Sequence, residues 1–281
     1  MTGPQAHSPN IRELQYWNSA ATRAWAEDYE WIDRLFAGVT QAALDAAAPQ
    51  PGERVIDIGC GSGSTVLALA GHVLGADISQ QSVTQANKRI AAAGLRQAEA
   101  ALADVSTRGF APDSFDLAFS RFGVMFFADP TASLANLHKG MKSGGRVTFA
   151  VFRSRKENPW ATAPIVALGD LLPPQPKPGP EDPGQFSWAD PARVHRILEG
   201  AGFRDVTLTP QDFGFRLAGS GGATEASEFA MHVGPAVRAT LNAPVELREA
   251  VRAGLYAFFK THESADGVVM QGAIWIVRAR A

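Results

Sequence analysis

The sequence predicts an α/β fold, a three-layer sandwich in which a mostly parallel β-sheet lies between two layers of helices. Through the middle of the chain, short apolar runs rich in β-branched residues alternate with segments of helical composition. Strands that alternate with helices pair in parallel through right-handed crossovers. The length, 281 residues, favours one large domain with additions over two separate domains.

Seven strands and the helices between them follow in order along the chain. The strands are predicted at 53–58, 72–78, 98–104, 114–122, 144–152, 203–210 and 268–279, and the helices at 64–70, 83–93, 131–141 and 192–202. Ser79 or Ser82 is expected to cap the second helix. Asp129 and Asp190, each followed by proline, are expected to cap the third and fourth. A two-glycine turn at 144–145 should precede the fifth strand.

Three segments fall outside this alternation. Residues 10–48 are predicted to form a helical cap, because apolar residues recur there at helical spacing. Residues 222–262 are predicted to hold two or three helices. Residues 173–184 carry six prolines, which exclude regular helix and central strand, so an exposed, stiff tether is expected. The prediction is one domain over 1–281, made of a cap (10–48), a core (49–218), a helical insert or lid (219–265) and a last strand (266–281).

Composition narrows the classes of function. The net charge is −2 and the basic residues are scattered, so no field attracts nucleic acid or anionic membranes. Cys60 is the single cysteine, which excludes a disulfide and a thiolate metal cluster. No histidine spacing resembles a metal motif. The first ten residues lack the apolar region of a signal peptide, and no apolar run has transmembrane length. A cytoplasmic protein without a membrane partner is expected, and a homodimer is compatible with the sequence.

A glycine loop lies between the first predicted strand and helix, in RVIDIGCGSGSTVLALA (54–70). Gly59, Gly61 and Gly63 permit positive φ and close approach of the backbone to a ligand. Any tight strand-to-helix turn also favours glycine, so the loop alone is weak support for a binding site. The neighbouring acidic residues decide between these interpretations.

Acidic residues stand at the ends of three successive strands: Asp57, Asp77 and Asp104. A carboxylate at Asp57 would repel a pyrophosphate, which argues against a nicotinamide dinucleotide and suits an ammonium-bearing ligand. Asp77 stands twenty residues further on, where a carboxylate accepts hydrogen bonds from ribose hydroxyls. Asp104 could accept from an adenine amine. A single such aspartate is usually a helix cap, but three at adjacent strand ends favour a ligand site.

The ordered stretches VIDIGCGSGS, GADIS, LADV, FDLAFSRFGVMFF before DP, and GGRVTFAVF resemble the motifs of class I S-adenosylmethionine-dependent methyltransferases. The resemblance covers about residues 52–152. SRFGVMFFADP and the later ENPW are similar to the ubiquinone/menaquinone-biosynthesis-type branch, whose members mostly methylate small molecules. This resemblance implies a Rossmann-like, seven-stranded sheet whose last strand is antiparallel, with S-adenosylmethionine as cofactor, S-adenosylhomocysteine as product and no metal.

The resemblance also implies roles for individual residues. Gly59, Cys60, Gly61 and Gly63 would contact the methionine part of the cofactor, with Asp57 near its amino group. The ribose would lie at Asp77 and Ile78, and the adenine at Asp104 and Val105. Ser120 and Arg121 would border the methyl group through their backbone. Cys60 is interpreted as an inert small side chain within the loop.

The expected reaction is an in-line displacement that depends on orientation and desolvation, since a sulfonium needs no further activation. Orientation can lower a barrier by roughly 7–11 kcal/mol. No general base is identified; weak candidates are Tyr16, His232, His262 and Glu263. A lone histidine in a helix is more often solvated or packed than catalytic.

The cap and the insert are expected to form the acceptor site. Trp17 and Trp25 could cover the cofactor, where an aromatic face near a sulfonium gains ~0.5–2 kcal/mol; the alternative is a helix that only packs on the sheet. Phe126, Phe229, Met231 and His232 are candidates for acceptor binding. No [DN]-P-P-[YF] motif of base or glutamine methylation follows the fourth strand. A small-molecule acceptor is therefore predicted, with methylation of RNA or protein, or a non-catalytic adenosylmethionine-binding module, as alternatives.

Overall fold

A mixed β-sheet organises the fold in the computed structural model, which describes residues 8–69, 71–172, 179 and 181–281. Its strands are β1 (Arg54–Ile58), β2 (His72–Asp77), β3 (Ala98–Leu102), β4 (Phe115–Arg121), β5 (Met141–Phe152), β6 (Arg204–Ala218), β7 (Glu263–Ser264) and β8 (Gly267–Arg280). The order is β3-β2-β1-β4-β5-β8-β6, with the short β7 paired to β8. Strands β1 to β5 are parallel, and β8 runs antiparallel to β5 and β6. The predicted Rossmann-like sheet with an antiparallel last strand is confirmed.

Twelve α-helices accompany the sheet in the described ranges. They are α1 (Ile11–Trp17), α2 (Ala24–Glu27), α3 (Tyr29–Leu35), α4 (Ala37–Ala47), α5 (Ser64–Leu69), α6 (Gln80–Ala92), α7 (Pro130–His138), α8 (Pro159–Leu168), α9 (Pro191–Gly200), α10 (Gly222–His232), α11 (Pro235–Thr240) and α12 (Val245–Lys260). Helix α4 contacts β4 and β5, α5 and α6 contact β2 and β3, and α9 contacts β6. The insert holds three helices, in agreement with the prediction.

The central strands are buried on both faces, as their sequences require. Phe119 and Phe149 are fully buried in β4 and β5, and Ile56 in β1. Near-continuous apolar runs are typical of parallel strands covered by helices on both sides. The predicted caps are also present: the side chains of Ser79, Asp129 and Asp190 accept from backbone N–H groups in the first turns of α6, α7 and α9.

The cap is not one continuous helix, although its apolar spacing suggests one. It consists of α1 to α4 and a 3₁₀ turn over Ala20–Thr22. The break after α1 is made by polar side chains that compete for its backbone. Thr22 Oγ1 donates toward the carbonyl groups of Tyr16, Trp17 and Ser19. Asn18 Nδ2 donates to Leu14 O at 2.8 Å.

Two strands are longer than predicted. β5 begins at Met141, so the two glycines lie inside it, where Gly144 has φ of +77° and the register with β4 shifts. β6 continues past Pro210 to Ala218, because it is the edge strand of the sheet and its proline needs no second partner. Residues 173–178 and 180, where most of the expected tether falls, lie outside the described residues.

None of the described helices combines the length and the apolar character needed to cross a membrane.

Candidate functional site

The carboxyl ends of β1, β2 and β4 meet at one edge of the sheet, and the glycine loop lies between them. Four of its backbone N–H groups are already used within the protein. Gly59 N and Cys60 N donate to Ala76 O at 2.8 and 3.3 Å, and Gly61 N donates to Asp77 Oδ2 at 2.8 Å. Gly63 N donates to Cys60 O at 3.0 Å. Donors that are engaged in this way do not cradle a phosphate, which argues against a dinucleotide on independent grounds.

Two of the loop glycines have different surroundings. Gly59 has φ of +68°, and a Cβ there would lie 2.6 Å from the Cα of Gly123. Close packing between the ends of β1 and β4 therefore requires glycine. Gly61 has φ of +54° and no atom within 4 Å of where a Cβ would lie. The space above Gly61 is open, on the side where a ligand would approach.

Cys60 is buried, and burial raises the pKa of its thiol well above the ordinary value, with the charges of Asp77 and Asp57 adding to the effect. A protonated, buried thiol is unreactive, which supports its interpretation as packing within the loop.

Asp57 is completely buried at the end of β1. Thr65 Oγ1 donates to its Oδ2, while Oδ1 has no hydrogen-bond partner among the described residues. Burial raises the pKa of Asp57 from 3.8 to about 7; the Thr65 hydrogen bond and the charge of Arg121 oppose the rise, and Asp77 adds to it. An unpaired buried carboxyl oxygen is costly, and an ammonium group would satisfy it.

Asp77 holds the loop and the start of α6 at once. Its Oδ2 accepts from Gly61 N and its Oδ1 from Ser79 N, both at 2.8 Å. Burial raises its pKa, and hydrogen bonds from the N–H groups of Ser79, Gly61 and Ile78 limit the rise. Each oxygen keeps a lone pair for a further donor. The adjacent Ile78 O accepts from Asn18 Nδ2 at 2.9 Å, which ties the cap to this strand end.

Asp104 is more occupied than its sequence position suggests. Its Oδ1 accepts from Asn10 Nδ2 at 2.9 Å and from both the N–H and the hydroxyl of Ser106, and its Oδ2 accepts from Ser8 Oγ. Asn10 Oδ1 also accepts from Ala128 N at 2.7 Å. The carboxylate thus fastens the start of the cap, and only Oδ2 keeps room for another donor. Val105 beside it is buried.

Ser120 joins the ends of β1 and β4. Its hydroxyl is buried, donates to Ile58 O at 2.7 Å and accepts from the N–H groups of Gly123 and Val124. The next residue, Arg121, turns its guanidinium to the cap and donates to Thr40 Oγ1 at 2.7 Å. The backbone at this strand end is therefore fixed next to the glycine loop.

The cap brings aromatic rings over this edge. Trp17 meets Trp25 edge to face at 5.7 Å and Phe126 at 5.1 Å between ring centroids. Ser62 of the glycine loop donates to Trp25 O at 3.0 Å. Tyr16 lies against Trp17 and has the guanidinium of Arg238, from α11, 4.2 Å above its ring. The cap, the loop after β4 and the insert therefore meet here.

The insert contacts the cap through α10. The ring of Phe229 lies 5.1 Å from that of Trp31, and Phe229 and Met231 are both buried. His232 Nδ1 lies 3.6 Å from Asp28 Oδ2, which forms a bridge between α10 and the turn before α3.

The predicted catalytic candidates divide into two groups. Tyr16 and His232 lie where the cap meets the insert. His262 and Glu263 do not join them: His262 Nδ1 faces Phe258 O at 3.0 Å, and Glu263 accepts from Lys260 and from Ala223 N, all within the insert and β7. Their roles as bases stay predictions without geometric support.

Four residues near the site carry contacts that the sequence reasoning missed, namely Ser8, Asn10, Asn18 and Asp28. A polar residue in a helical or terminal segment is normally solvated, so nothing local in the sequence marks these four. Within the described ranges, no three His, Cys, Asp or Glu side chains are grouped as metal ligands.

Comparison with known proteins agrees with this geometry. A family described as "Methyltransferase domain" matches residues 49–199. Aklanonic acid methyltransferase DauC from Streptomyces sp. (strain C5) is 33% identical over 199 residues, which covers 65% of this chain and 90% of the relative. A demethylmenaquinone methyltransferase from Corynebacterium kroppenstedtii is 28% identical over 62% of this chain and 77% of the relative.

Among solved structures, phosphoethanolamine N-methyltransferase 2 of Haemonchus contortus, in complex with phosphomonomethylethanolamine and S-adenosylhomocysteine, shares the fold with a TM-score of 0.55. The identity is 16%, and the match covers 91% of this chain and 57% of that one. The family match spans more than half of the chain and contains the glycine loop and the three strand-end aspartates. The chain therefore belongs to the methyltransferase-domain family, as an S-adenosylmethionine-dependent methyltransferase.

Proposed function

We propose that this enzyme transfers the methyl group of S-adenosylmethionine to a small acceptor with an apolar, ring-containing body. The observation that carries the proposal is that aromatic side chains of the cap meet those of the loop after β4 in one group and those of the insert in another. Trp17, Trp25 and Trp31 come from the cap, Phe126 from the loop after β4, and Phe229 from the insert. Such rings bury a compact apolar molecule and exclude water.

The residues at the strand ends fit the proposed cofactor. The unpartnered Oδ1 of Asp57 suits its ammonium group, and the free lone pairs of Asp77 suit the ribose hydroxyls. Asp104 Oδ2 keeps one position for the adenine amine, next to Val105. The open space at Gly61 admits the methionine part. The backbone of Ser120 and Arg121 would border the reacting centre.

The chemistry that S-adenosylmethionine supplies is an activated methyl group on a sulfonium. This chain's part is to hold the acceptor in line and keep water out. Trp17 and Trp25 would shield the sulfonium side, and Phe229 with Trp31 would position the acceptor. If the acceptor atom carries a proton, His232 is the best-placed of the candidate bases, because it lies where the insert meets the cap, with Asp28 Oδ2 3.6 Å from its Nδ1.

Two relatives support a small-molecule acceptor through their names, aklanonic acid methyltransferase and demethylmenaquinone methyltransferase. RNA as acceptor is disfavoured by the net charge of −2. The cytoplasmic location and a homodimer stay predictions.

The experiment is an acceptor screen with methyl-tritiated S-adenosylmethionine. The panel holds aromatic phenols, carboxylic acids, amines and quinols, with total RNA and a mixed protein fraction as separate arms. Asp77→Ala serves as the cofactor-binding control. We expect label in a small organic product that disappears in the control. Label in RNA or protein alone would contradict the proposal, and cofactor binding without transfer to any arm would favour a binding module.

A further inference from the structure

Arg121 has a side chain that the cofactor contacts above do not use. β1 and β4 pair Asp57 with Phe119, and side chains alternate along a strand. Arg121, two residues beyond Phe119, therefore lies on the same face of the sheet as Asp57. On that face its Nη1 donates to Thr40 Oγ1 at 2.7 Å, and its guanidinium carbon lies 5.7 Å from the ring centre of Phe36.

The charge of Arg121 has no close counterion in the described part of the chain. No carboxylate oxygen there lies within 4.0 Å of its side-chain nitrogens. The two carboxylates whose charges act on Arg121 are engaged elsewhere: Asp33 pairs with Arg89 at 2.6 Å, and Asp57 Oδ2 accepts from Thr65. An arginine presents five N–H donors, and Thr40 accepts only one of them. Arg121 is only partly buried, so the donors that Thr40 does not use are open to a ligand.

Asp57 and Arg121 complement each other without pairing. Each charge acts on the pKa of the other, yet Asp57 Oδ1 has no partner within the described residues. A group that can pair with a cation therefore lies on the same face of the sheet as a group that can pair with an anion. A zwitterion with an ammonium and a carboxylate on one carbon would satisfy both.

We infer that Arg121 and Thr40 form a carboxylate-binding site beside Asp57. Thr40 directs the guanidinium, since its own hydroxyl proton goes to Phe36 O at 3.0 Å and leaves its oxygen to accept from Arg121. Two ligands could supply the carboxylate: the amino-acid end of the cofactor, or an acidic group on the acceptor. The identity of these sources rests on the proposed function, whereas the carboxylate chemistry rests on the side chains alone.

The experiment compares ligands that differ only in the carboxylate-bearing part. Calorimetry measures S-adenosylhomocysteine against 5′-methylthioadenosine, which keeps the nucleoside and lacks the amino-acid end. With S-adenosylhomocysteine bound, 1-naphthoate is compared with its uncharged amide. The variants are Arg121→Met and the milder Thr40→Val, with Arg34→Met, an exposed arginine of α3, as matched control. Arg121→Lys tests rescue by charge.

If the cofactor supplies the carboxylate, Arg121→Met weakens the binding of S-adenosylhomocysteine about 10- to 100-fold and changes the affinity for 5′-methylthioadenosine by no more than about threefold. Thr40→Val has a smaller effect in the same direction, and Arg121→Lys recovers part of the lost affinity. If the acceptor supplies the carboxylate, the affinities for both nucleosides are unchanged and only the preference for naphthoate over the amide is lost. Either result supports the site.

Equal loss for both nucleosides, or no loss for any ligand, would overturn the site and make Arg121 structural. Wild-type protein that binds neither nucleoside would instead overturn the proposed function. In that event the carboxylate site is supported only if the binding of naphthoate, measured without a nucleoside, still depends on Arg121.

Discussion

The strand ends and the aromatic cap-and-insert region are held together in different ways. At the end of β2, hydrogen bonds join backbone N–H groups to a partly buried carboxylate, as Asp77 shows with Gly61 and Ser79. Between cap and insert, the contacts are between aromatic rings, such as Trp31 with Phe229, and between half-exposed polar side chains, such as Asp28 with His232. We expect the first arrangement to be rigid and the second to tolerate substitution. On the proposed function, the first is a rigid cofactor half and the second an adaptable acceptor half.

The largest expected effect is on the rigid half. Asp77→Ala removes a carboxylate that both shapes the glycine loop and would hold the ribose. Two hydrogen bonds to a charged group are worth about 2–4 kcal/mol with some overlap, so S-adenosylhomocysteine should bind roughly 30- to 1000-fold more weakly in calorimetric titration. Asp116→Ala is the matched control, since Asp116 accepts from Lys142 and Arg54 N at the other end of β4. Unchanged affinity in a folded Asp77 variant would refute the ribose assignment.

A second effect concerns the stability of the ligand-free protein. Burial raises the pKa of Asp57 from 3.8 to about 7, so the folded state binds more protons than the unfolded state between these values. The contribution of Asp57 to the free energy of unfolding is therefore present near the lower value and is lost as the pH rises through about 7. From about pH 5 to about pH 8 the wild type should lose on the order of 3 kcal/mol relative to Asp57→Asn.

Urea unfolding of both proteins at several pH values measures this difference. The titrations of all other groups occur in both proteins, so they largely cancel in the difference. A constant difference across the pH range would mean that Asp57 titrates at an ordinary pKa and is hydrated.

Substitutions in the adaptable half should change the kinetics of the acceptor and leave cofactor binding nearly unchanged. Phe229→Leu keeps the site apolar and removes the ring that meets Trp31. We expect KM for the acceptor to change about tenfold, a change of about 1.4 kcal/mol, while S-adenosylhomocysteine affinity stays within about threefold. Phe259→Leu, a buried residue of α12, controls for general softening of the insert. Loss of cofactor affinity in the Phe229 variant but not in the Phe259 variant would contradict the distinction between the two halves.

The smallest effect lies at the contact between the two halves. Asn10→Ala removes the hydrogen bonds that the amide donates to Asp104 and Ser106 and the one that it accepts from Ala128 N. Cofactor binding should weaken about 2- to 10-fold, because the cap closes less firmly over the adenine position. Gln15→Ala, an exposed residue of α1, should change nothing. Tighter binding in the Asn10 variant would instead show that the cap competes with the cofactor for Asp104.

The same contrast explains what the sequence could predict. Strand ends follow from local patterns: Asp57, Asp77 and Asp104 stand at fixed distances from apolar runs, and parallel pairing brings them to one edge. Contacts that cross between distant segments leave no such trace. The local sequence does not predict that Ser8 and Asn10 contact Asp104, or that Asp28 faces His232. The apolar spacing of 14–39 suggests one helix, because a pattern of apolar residues does not show that Asn18 and Thr22 form hydrogen bonds with the backbone that end the first helix.

The most direct measurement of the division is hydrogen exchange along the whole chain, with and without S-adenosylhomocysteine. We expect slower exchange at residues 57–63, 77–79 and 104–106 and across cap residues 10–30, because the aromatic face of the cap gains a partner when the site fills. Residues 245–260, in α12, should not change until an acceptor is added. Equal exchange of the cap in both states, or protection centred on α12 by the cofactor alone, would contradict the account.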